Sequence, residues 1–275
     1  MLHKDEIQSG QRFAFGANWA SFLDLLDDER VVEAEKSLRK MLGVENLKGK
    51  RFLDAGSGSG LFSLAARRLG ASVHSFDYDP QSVACTAELK RRFFLNDPDW
   101  KVEEASVLDK EYISHLGQFD IVYSWGVLHH TGDMWQSLEN IVPLVAFDGG
   151  KLFLAIYNDQ GRTSNNWLKV KKIYNALPPA LRWLVLWPAF VLLWGPTTIR
   201  DIVNGRPFAT WRKRKMMRGM DPWRDVVDWV GGYPFEVAKP EEIFNFYRAK
   251  GFCLEELRTC AGGLGCNEYV FILTV

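Results

Sequence analysis

The chain contains few cysteines, only four among its 275 residues, and that scarcity limits its chemistry. No two of Cys85, Cys253, Cys260 and Cys266 have the C-x-x-C spacing that is typical of zinc sites and thiol redox motifs. The first twenty residues also lack the apolar stretch of a secretory leader. We therefore expect reduced thiols, mostly small buried side chains, in a cytoplasmic protein.

The chain also has no excess of charge, because 34 Lys and Arg residues balance 34 Asp and Glu residues. A zero net charge gives no overall field that attracts nucleic acid. The balance hides an uneven distribution, since residues 159–235 hold 13 Lys or Arg but only five Asp or Glu. The same segment holds seven of the 11 tryptophans. Its composition marks it as a separate piece of the chain.

A glycine-rich loop is the most informative segment that is present, with the sequence Leu53-Asp54-Ala55-Gly56-Ser57-Gly58-Ser59-Gly60. It follows a short apolar strand that begins at Lys50-Arg51-Phe52, and a helix pattern opens at Leu61. Glycines at alternate positions let the backbone turn sharply close to a ligand. The free N–H groups of the helix start face the same place. The segment predicts a cradle for a nucleotide-like cofactor.

The spacing of this loop differs from the dinucleotide fingerprint G-x-G-x-x-G, because here it is G-x-G-x-G. Asp54 at the mouth of the loop would repel a diphosphate, whereas it suits a ligand with an ammonium group. Asp77 ends the next predicted strand about 20 residues further on, where Rossmann-like sheets carry a ribose-binding carboxylate. Asp79 before Pro80 is instead typical of a helix N-cap.

These residues resemble motif I and the acidic second-strand motif of the class I S-adenosylmethionine-dependent methyltransferases. The resemblance covers roughly residues 50–158 and 238–275. It implies S-adenosyl-L-methionine as the cofactor and an α/β fold, a Rossmann-like, seven-stranded, mostly parallel sheet with helices on both faces and an antiparallel last strand. It also implies a helical insert after strand five and an N-terminal helical lid that includes Phe15 and Trp19. Packing of those two rings on the core is the alternative.

The apolar pattern agrees with this fold, because strand and helix patterns alternate from residue 50 onward. We predict strands near 51–55, 72–77, 101–105, 119–124, 150–156, 252–259 and 268–275. We predict helices over 28–42, 60–69, 80–94 and 134–146, with another that begins at Pro240. The boundaries are then 1–48 for the lid, 49–158 for the cofactor-binding core, 159–237 for the insert and 238–275 for the end of the core sheet.

A histidine pair follows the fourth predicted strand, in the run Trp125-Gly126-Val127-Leu128-His129-His130. The order of strand, small residue and Leu-x-His is similar to the O-methyltransferases of ubiquinone biosynthesis. Histidine is well matched to proton removal near neutral pH, so we predict His130, assisted by His129, as the general base. The alternative is that one histidine caps a helix and the other is merely exposed. Gly126 and His129 stand where those relatives carry acidic residues, so we predict no metal.

The carboxyl ends of parallel strands meet at one edge of a sheet, and ligands bind there. The predicted cofactor-binding residues at this edge are Asp54, Gly56, Ser57, Gly58, Gly60, Asp77, Tyr78, Ser106, Val107, Ser124, Trp125 and Gly126. The predicted acceptor-binding residues are Tyr157, Asn158, Tyr233 and Glu236, of which the last two also fit a packed connector. The loop after strand four lacks the Asp/Asn-Pro-Pro-Tyr tetrad of amino-methylating DNA and protein enzymes, so we expect no nucleic-acid partner.

The insert has an apolar centre, Leu181–Trp194, and four aromatic residues fall on one helical face of it, Trp183, Trp187, Phe190 and Trp194. At about fourteen residues, interrupted by Pro188, this run is too short to span a bilayer. A basic run follows, Trp211-Arg212-Lys213-Arg214-Lys215 with Arg218. Three interpretations of 181–218 stay open: a packed helical cap, an interfacial membrane element and a nucleic-acid surface.

The sequence therefore predicts an S-adenosylmethionine-dependent methyltransferase that O-methylates a hydroxyl on a small or lipid-linked acceptor. The alternatives are N-methylation of a small molecule and a cofactor-binding regulatory module without catalysis. The glycine spacing argues against a nicotinamide dehydrogenase. We expect a cytoplasmic protein, or one peripheral to the inner face of a membrane, and the sequence predicts no oligomeric state.

Overall fold

The computed structural model describes residues 3–16, 23, 26–212 and 222–274 of the chain. The helices are α1 (His3–Gln8), α2 (Asp28–Leu42), α3 (Leu61–Arg68), α4 (Pro80–Phe93), α5 (Lys110–His115), α6 (Met134–Ile141), α7 (Arg162–Ala176), α8 (Trp183–Val203), α9 (Pro222–Gly231) and α10 (Pro240–Arg248). The strands are β1 (Arg51–Ala55), β2 (Ser72–Asp77), β3 (Trp100–Glu104), β4 (Ile121–Trp125), β5 (Lys151–Tyr157), β6 (Phe252–Arg258) and β7 (Cys266–Leu273). Short 3-10 turns lie at Leu128–His130, Val142–Leu144 and Pro179–Leu181.

The seven strands form one sheet in the order β3-β2-β1-β4-β5-β7-β6. β1 pairs in parallel with both β2 and β4, so that Leu53 lies between His74 and Val122. The strand order reverses between β1 and β4, and ligands of such sheets bind at that switch point. β7 runs antiparallel to β5 and β6. The predicted seven-stranded, mostly parallel sheet with an antiparallel last strand is confirmed.

Most predicted elements differ from the observed ones only at their ends. β3 begins at Trp100, one residue earlier than predicted, because the buried Trp100 indole donates to Ser75 Oγ on β2 at 2.9 Å. The helix predicted over 134–146 ends at Ile141, since Pro143 in the following turn has no N–H to continue it. The six-residue helix α5 has no counterpart in the prediction, because it buries only Ile113.

Helices cover both faces of the sheet, and each face has its own apolar core. One core includes Leu138 of α6 and Ile243 of α10. The other includes Leu38 of α2 and Leu64 of α3. Helix α2 has the predicted bounds, and Gly43 follows it in the left-handed region with a φ of 65°. The two cores fix the sheet between its helices and leave the carboxyl ends of the strands for the site.

The insert packs α7, α8 and α9 around a third apolar core. Its buried members are Trp167, Tyr174, Leu186, Ala189, Trp194, Val226, Val230 and Phe235. Helix α8 is longer than the apolar run predicted at 181–194, because it continues through Pro188 and Pro196 to Val203. Residues 179–203 are long and apolar enough to cross a membrane by length and composition alone. The prediction that this run is too short to span a bilayer was therefore wrong.

The aromatic residues predicted on one face of this helix are divided between two environments. Trp194 is buried in the insert core, whereas Trp183 and Trp187 are exposed. Phe190 connects the two environments, because its ring contacts those of the exposed Trp187 and of Trp211. Part of the predicted basic run and one predicted lid residue lie outside the described residues: Lys213, Arg214, Lys215, Arg218 and Trp19.

Candidate functional site

A cavity of about 1200 Å³ opens at the carboxyl ends of β1, β2 and β4. The glycine loop, helix α2 and the N-terminal segment 3–16 line one part of it. Helices α8 and α9 and the loop before β7 line the other part. Ligand pockets usually measure roughly 300–1,000 Å³. This cavity can therefore hold a cofactor together with a second molecule.

Hydrogen bonds fold the glycine loop around the end of β2. The N–H groups of Gly56 and Ser57 both donate to the Phe76 carbonyl, at 2.8 and 3.1 Å. The Gly58 N–H donates to Asp77 Oδ2 at 2.8 Å. Gly56 and Gly58 have φ values of 87° and 54°, in the region that favours glycine. The glycines therefore let the loop turn back onto the second strand and meet its terminal carboxylate.

Two residues of the loop also anchor it to helix α4. Ser57 Oγ and Thr86 Oγ1 are 2.9 Å apart, and Ser57 lines the cavity as well. A Cβ at Gly60 would lie 2.8 Å from the Thr86 Cα, so glycine at this position lets α3 and α4 approach closely. Gly60 lies outside the cavity lining formed by the described residues, so its predicted cofactor contact stays a prediction beside this packing role.

Two carboxylates at the ends of neighbouring strands line the cavity, Asp54 on β1 and Asp77 on β2. Burial raises the pKa of Asp54 to about 7 and the pKa of Asp77 to about 6. Ser63 Oγ donates to Asp54 Oδ2 at 2.5 Å, and the Asp79 N–H donates to Asp77 Oδ1 at 2.9 Å. A cationic ligand would restore the ionised form of Asp54. A carboxylate has about four acceptor sites, so Asp77 can also accept from ribose hydroxyls. The pair fits the ammonium and ribose groups of S-adenosylmethionine.

Most of the other predicted cofactor residues also line the cavity, namely Tyr78, Ser106, Val107, Trp125 and Gly126. Gly126 has a φ of 75°, and a Cβ there would meet nothing within 4 Å. Ser124 differs from these residues, because it is fully buried and its Oγ donates to the Ala55 carbonyl at 2.8 Å. Ser124 therefore joins the ends of β4 and β1, and its predicted cofactor contact stays a prediction.

His130 lines the cavity from the turn after β4, and its ring has a defined tautomer. Its Nδ1 lies 2.6 Å from the Pro234 carbonyl oxygen, which can only accept, so Nδ1 donates and Nε2 is the basic nitrogen. The ring of Phe15 packs on it with 4.8 Å between centroids. Burial is the main cause that lowers the pKa of His130 to about 3. The ring is therefore neutral at physiological pH.

His129 lies behind this turn, fully buried, and does not line the cavity. Its Nδ1 accepts the Tyr157 N–H at 3.3 Å, and the two ring centroids are 4.0 Å apart. Its Nε2 has no hydrogen-bond partner within the described part of the chain. Burial holds the pKa of His129 well below its usual range. His129 packs beneath Tyr157, and its predicted assistance to His130 stays a prediction.

Of the predicted acceptor residues, Tyr157 lines the cavity and the others lie outside its lining. Asn158 Oδ1 accepts from a side-chain amide of β7 at 3.1 Å. Glu236 Oε2 accepts the first N–H of α6 at 2.9 Å. The Tyr233 carbonyl accepts an N–H of the N-terminal segment at 2.8 Å. These hydrogen bonds are structural ones, and the predicted acceptor contacts of the three residues stay predictions.

The N-terminal segment joins the two sides of the cavity. Arg12 Nη1 donates to the His130 carbonyl at 2.9 Å, and its guanidinium lies 4.9 Å from the Tyr78 ring centroid. The Gly16 N–H donates to Asp79 Oδ2 at 2.7 Å. These contacts connect the loop after β2 with the turn after β4. The segment thus lies where the predicted lid would lie.

Several cavity residues carry little local sequence signal, namely Arg12, Glu29, Glu33, Asp225, Asp228, Trp229, Cys260 and Glu268. They belong to separate segments that meet only after folding. The spacing of Asp225, Asp228 and Trp229 does place them on one side of α9, and that pattern could have indicated a common surface. Among residues 3–16, 23, 26–212 and 222–274, no group of three or more His, Cys, Asp or Glu side chains is arranged to hold a metal ion.

Comparison with known proteins shows what the core is similar to. Residues 53–152 match the family model described as a methyltransferase domain. The ubiquinone biosynthesis O-methyltransferase of Escherichia fergusonii is 31% identical over 122 residues, which cover 44% of this chain and 47% of that protein. The protein of the same name from Xanthomonas oryzae pv. oryzae is 34% identical over 113 residues, which cover 41% and 45%. The chain thus spans about half the length of the curated relatives it matches.

Solved structures extend the likeness to the whole fold. The magnesium protoporphyrin IX methyltransferase of Synechocystis PCC 6803 with bound SAH has a TM-score of 0.51 at 14% identity, over 89% of this chain and 83% of that one. The N-methyltransferase NodS of Bradyrhizobium japonicum WM9 has a TM-score of 0.51 at 15% identity, over 90% and 99%. At these identities the likeness concerns the fold alone. Residues 53–152 are therefore similar to a methyltransferase domain, and the chain shares the fold of these solved methyltransferases.

Proposed function

We propose that the chain transfers the methyl group of S-adenosylmethionine to a hydroxyl on a small or lipid-linked acceptor, at the cytoplasmic side of a membrane. The observation that carries this proposal is the state of His130. Its Nδ1–H is fixed on the Pro234 carbonyl, so this cavity-lining imidazole offers Nε2 as a hydrogen-bond acceptor. A hydroxyl nucleophile needs such an acceptor, because it must lose its proton as the new bond forms.

The residues of the site divide the work between binding and proton removal. Bound S-adenosylmethionine supplies an electrophilic methyl group on a sulfonium. Asp54 would hold the cofactor by charge and Asp77 by hydrogen bonds, and the glycine loop would let the backbone approach it closely. The acceptor hydroxyl donates to His130 Nε2, which removes the proton. Burial lowers the pKa of His130 to about 3, so Nε2 carries no proton at physiological pH. Because such a ring is a weak base, the proton moves to it only as the new O–C bond forms and the oxygen becomes acidic.

The insert side of the cavity favours an acceptor with an aromatic or apolar body. Tyr157, Trp229, Leu193 and Trp194 line that side. The rings of Tyr157 and Trp229 meet edge to face, with 5.4 Å between centroids. Rings and alkyl chains pack well on such a wall. The matched relatives are named ubiquinone biosynthesis O-methyltransferases, which supports oxygen as the methylated atom.

A second candidate function, N-methylation, is favoured by acidic residues of the same cavity. Asp225, Asp228 and Glu268 line it on the insert side and at β7. Carboxylates attract an amine in its protonated form, which favours binding. Once the bound amine has lost that proton, its nitrogen can attack the methyl group without a strong base. The fold is compatible with this chemistry, since the similar structure of NodS is described as an N-methyltransferase.

Transfer of label from S-adenosylmethionine into fractionated cell extract tests the proposal, with lipid, glycan, RNA, protein and small-molecule fractions counted separately. Wild type is compared with His130→Ala and with His115→Ala, a control at an exposed histidine of α5. We expect His130→Ala to lower turnover by roughly 10²–10⁴-fold, the range of a lost general base, with unchanged affinity for S-adenosylhomocysteine. The control should keep the wild-type turnover.

The outcomes separate the three classes of function. Full turnover in His130→Ala, with label on an amine nitrogen, would show that the function is N-methylation and not methylation of a hydroxyl. Binding of S-adenosylhomocysteine without label in any fraction would instead indicate a cofactor-binding module that does not catalyse methyl transfer.

A further inference from the structure

Helix α8 presents a large apolar surface to solvent. Its exposed apolar side chains, between 49% and 79% accessible, are Trp183, Leu184, Trp187, Val191, Leu192, Ile199, Ile202 and Val203. Spacings of three, four, seven and eight residues place them along one side of the helix, which we name the outer face of α8. Single exposed apolar residues are common, but a continuous patch of this kind marks an interaction surface.

The solvent-exposed charged side chains beside the outer face are all positive. Residues 179–212 contain four arginines and a single acidic residue, Asp201. Asp201 is buried and accepts a threonine N–H at 2.7 Å and the same threonine's hydroxyl at 2.8 Å. Arg200, Arg206 and Arg212 are exposed. An apolar face flanked by exposed arginines complements an anionic surface that has an apolar interior.

Other side chains of the same helix are directed into the protein and form a wall of the cavity. Leu193 and Trp194 line the cavity, and Leu186 and Ala189 pack in the insert core. A helix with one side in the protein interior cannot be surrounded by lipid, so α8 would lie in the plane of a membrane rather than cross it. An α-helix with its side chains is about 10 Å thick. One helix thickness therefore separates the outer face from the cavity.

We propose that the outer face of α8 docks in the plane of an anionic lipid bilayer, and that an amphiphilic acceptor passes from the bilayer into the cavity beside this helix. The second part rests on the proposed function, whereas docking does not. A second copy of the chain fits the face less well, because a symmetric contact pairs the same patch on both subunits. Arginines lie at both ends of α8, at Arg182 and Arg200, so parallel and antiparallel pairing would both bring like charges together.

Co-sedimentation of the full chain with vesicles tests the docking. Vesicles of phosphatidylcholine alone are compared with vesicles that also contain phosphatidylglycerol, at low and high salt. We expect sedimentation with the anionic vesicles at low salt and weaker binding at high salt. The double substitution Val191→Gln and Leu192→Gln should lower the bound fraction roughly tenfold. The matched pair Leu95→Gln and Phe147→Gln, exposed apolar residues outside the insert, should leave it unchanged.

Three results would overturn the docking proposal. They are failure of the wild type to sediment with anionic vesicles, equal binding by the α8 and control variants, and a wild-type dimer that the α8 variant converts to a monomer without any vesicle binding. Thermal melting followed by circular dichroism shows that both variants are folded. Binding of S-adenosylhomocysteine, measured by calorimetry without vesicles, is independent of docking. Loss of docking alone therefore leaves the proposed methyl transfer intact.

Discussion

In the cofactor-binding core the groups that form the site lie at strand ends, whereas in the insert they lie on the sides of helices. The core brings the Asp54 and Asp77 carboxylates and the Gly56 and Gly58 loop to the switch point between β1 and β4. The insert brings an apolar and aromatic wall to the same cavity and exposes a second apolar surface outside it. The core is thus suited to a charged ligand, and the insert is suited to an apolar one.

The two regions also bury charge for different purposes. Asp54 in the core has its pKa raised by burial and faces the cavity, where a ligand cation can stabilise it. Lys171 in the insert is fully buried, and burial lowers its pKa to about 7. Its Nζ donates to the Trp229 carbonyl and lies 4.6 Å from the ring centroids of Trp229 and Phe235. Asp54 is therefore placed where a ligand can reach it, while Lys171 holds the end of α9 in place.

The largest expected effect comes from adding a side chain to a glycine of the core's glycine loop. Gly56→Ala places a Cβ 2.3 Å from Val127 Cγ1 and forces alanine to a φ of 87°. We expect it to lower the free energy of unfolding by about 3 kcal/mol, from overlap and backbone strain together, and to abolish cofactor binding. Gly126→Ala, also at positive φ but in open space, should cost only about 1 kcal/mol. Chemical denaturation measures both values.

A rescue variant makes this prediction sharper. Adding Val127→Ala to Gly56→Ala removes the two side-chain methyl carbons nearest to the new Cβ and should recover part of the lost stability. An equal cost for the two glycine variants would contradict the steric explanation, since both positions have similar backbone strain.

The next largest effect, on cofactor affinity, concerns the negative charge of the Asp54 carboxylate. Because the pKa of Asp54 is raised to about 7, its ionised form is lost as the pH falls through 7. Affinity for a cationic cofactor should therefore decrease below pH 7, by up to roughly tenfold per pH unit. Asp54→Asn should weaken binding at pH 8 by roughly 10–100-fold and remove this dependence near pH 7. Calorimetry with S-adenosylhomocysteine measures both.

Asp99→Asn, at an exposed carboxylate before β3, is the matched control and should bind like the wild type. In Asp54→Asn a smaller decrease in affinity for S-adenosylhomocysteine should remain near pH 6, where Asp77 titrates. Wild-type affinity that stays constant from pH 8 to 6 would contradict the assigned role of Asp54.

The buried cation of the insert should affect stability rather than cofactor affinity. Its pKa is lowered from 10.5 to about 7, so above pH 7 the folded state releases a proton that the unfolded state retains. The contribution of Lys171 to the free energy of unfolding should then rise with pH, by up to about 1.4 kcal/mol per pH unit between pH 7 and 9. Lys171→Met should lack this rise, while Lys172→Met, at an exposed neighbour, should keep it. Parallel stability curves for wild type and Lys171→Met would show that Lys171 stays charged.

The smallest expected effect concerns the N-terminal segment, which contacts the core through Arg12 and the insert through the Phe13 N–H. Arg12 donates to the carbonyls of His130 and Thr131 at 2.9 and 3.3 Å. Loss of these two hydrogen bonds in Arg12→Gln should speed dissociation of S-adenosylhomocysteine by roughly tenfold at most. Stopped-flow measurement should give the wild-type rate for Arg39→Gln, an exposed residue of α2. An unchanged rate in Arg12→Gln would show that the segment does not retain the ligand.

The core could be predicted largely from the sequence, because its information is local. The glycine spacing, Asp54 two positions before the first glycine and Asp77 at a strand end all lie close to the elements they define. The histidine pair marks the limit of such reasoning. Which ring lines the cavity is decided by the Pro234 carbonyl and the Tyr157 N–H, and both come from distant segments.

The insert could be predicted in composition but not in geometry. Its apolar centre was evident, yet Pro188 suggested an interruption, whereas α8 continues through Pro188 and through Pro196. The environment of each tryptophan depends on which neighbouring helix covers it, as the contrast between buried Trp194 and exposed Trp183 shows. The same holds for Lys171, whose burial follows from its contacts with segment 229–235.

Calorimetric titration of the wild type with S-adenosylhomocysteine at pH 8, beside His130→Ala and Gly56→Ala, tests the central claim most directly. The claim is that the glycine loop and the strand-end carboxylates bind the cofactor, while His130 acts on the acceptor. It predicts one binding site per chain in the wild type and in His130→Ala, with equal affinity, and no binding in Gly56→Ala. Absence of binding to the folded wild-type chain, or wild-type affinity in Gly56→Ala, would contradict it.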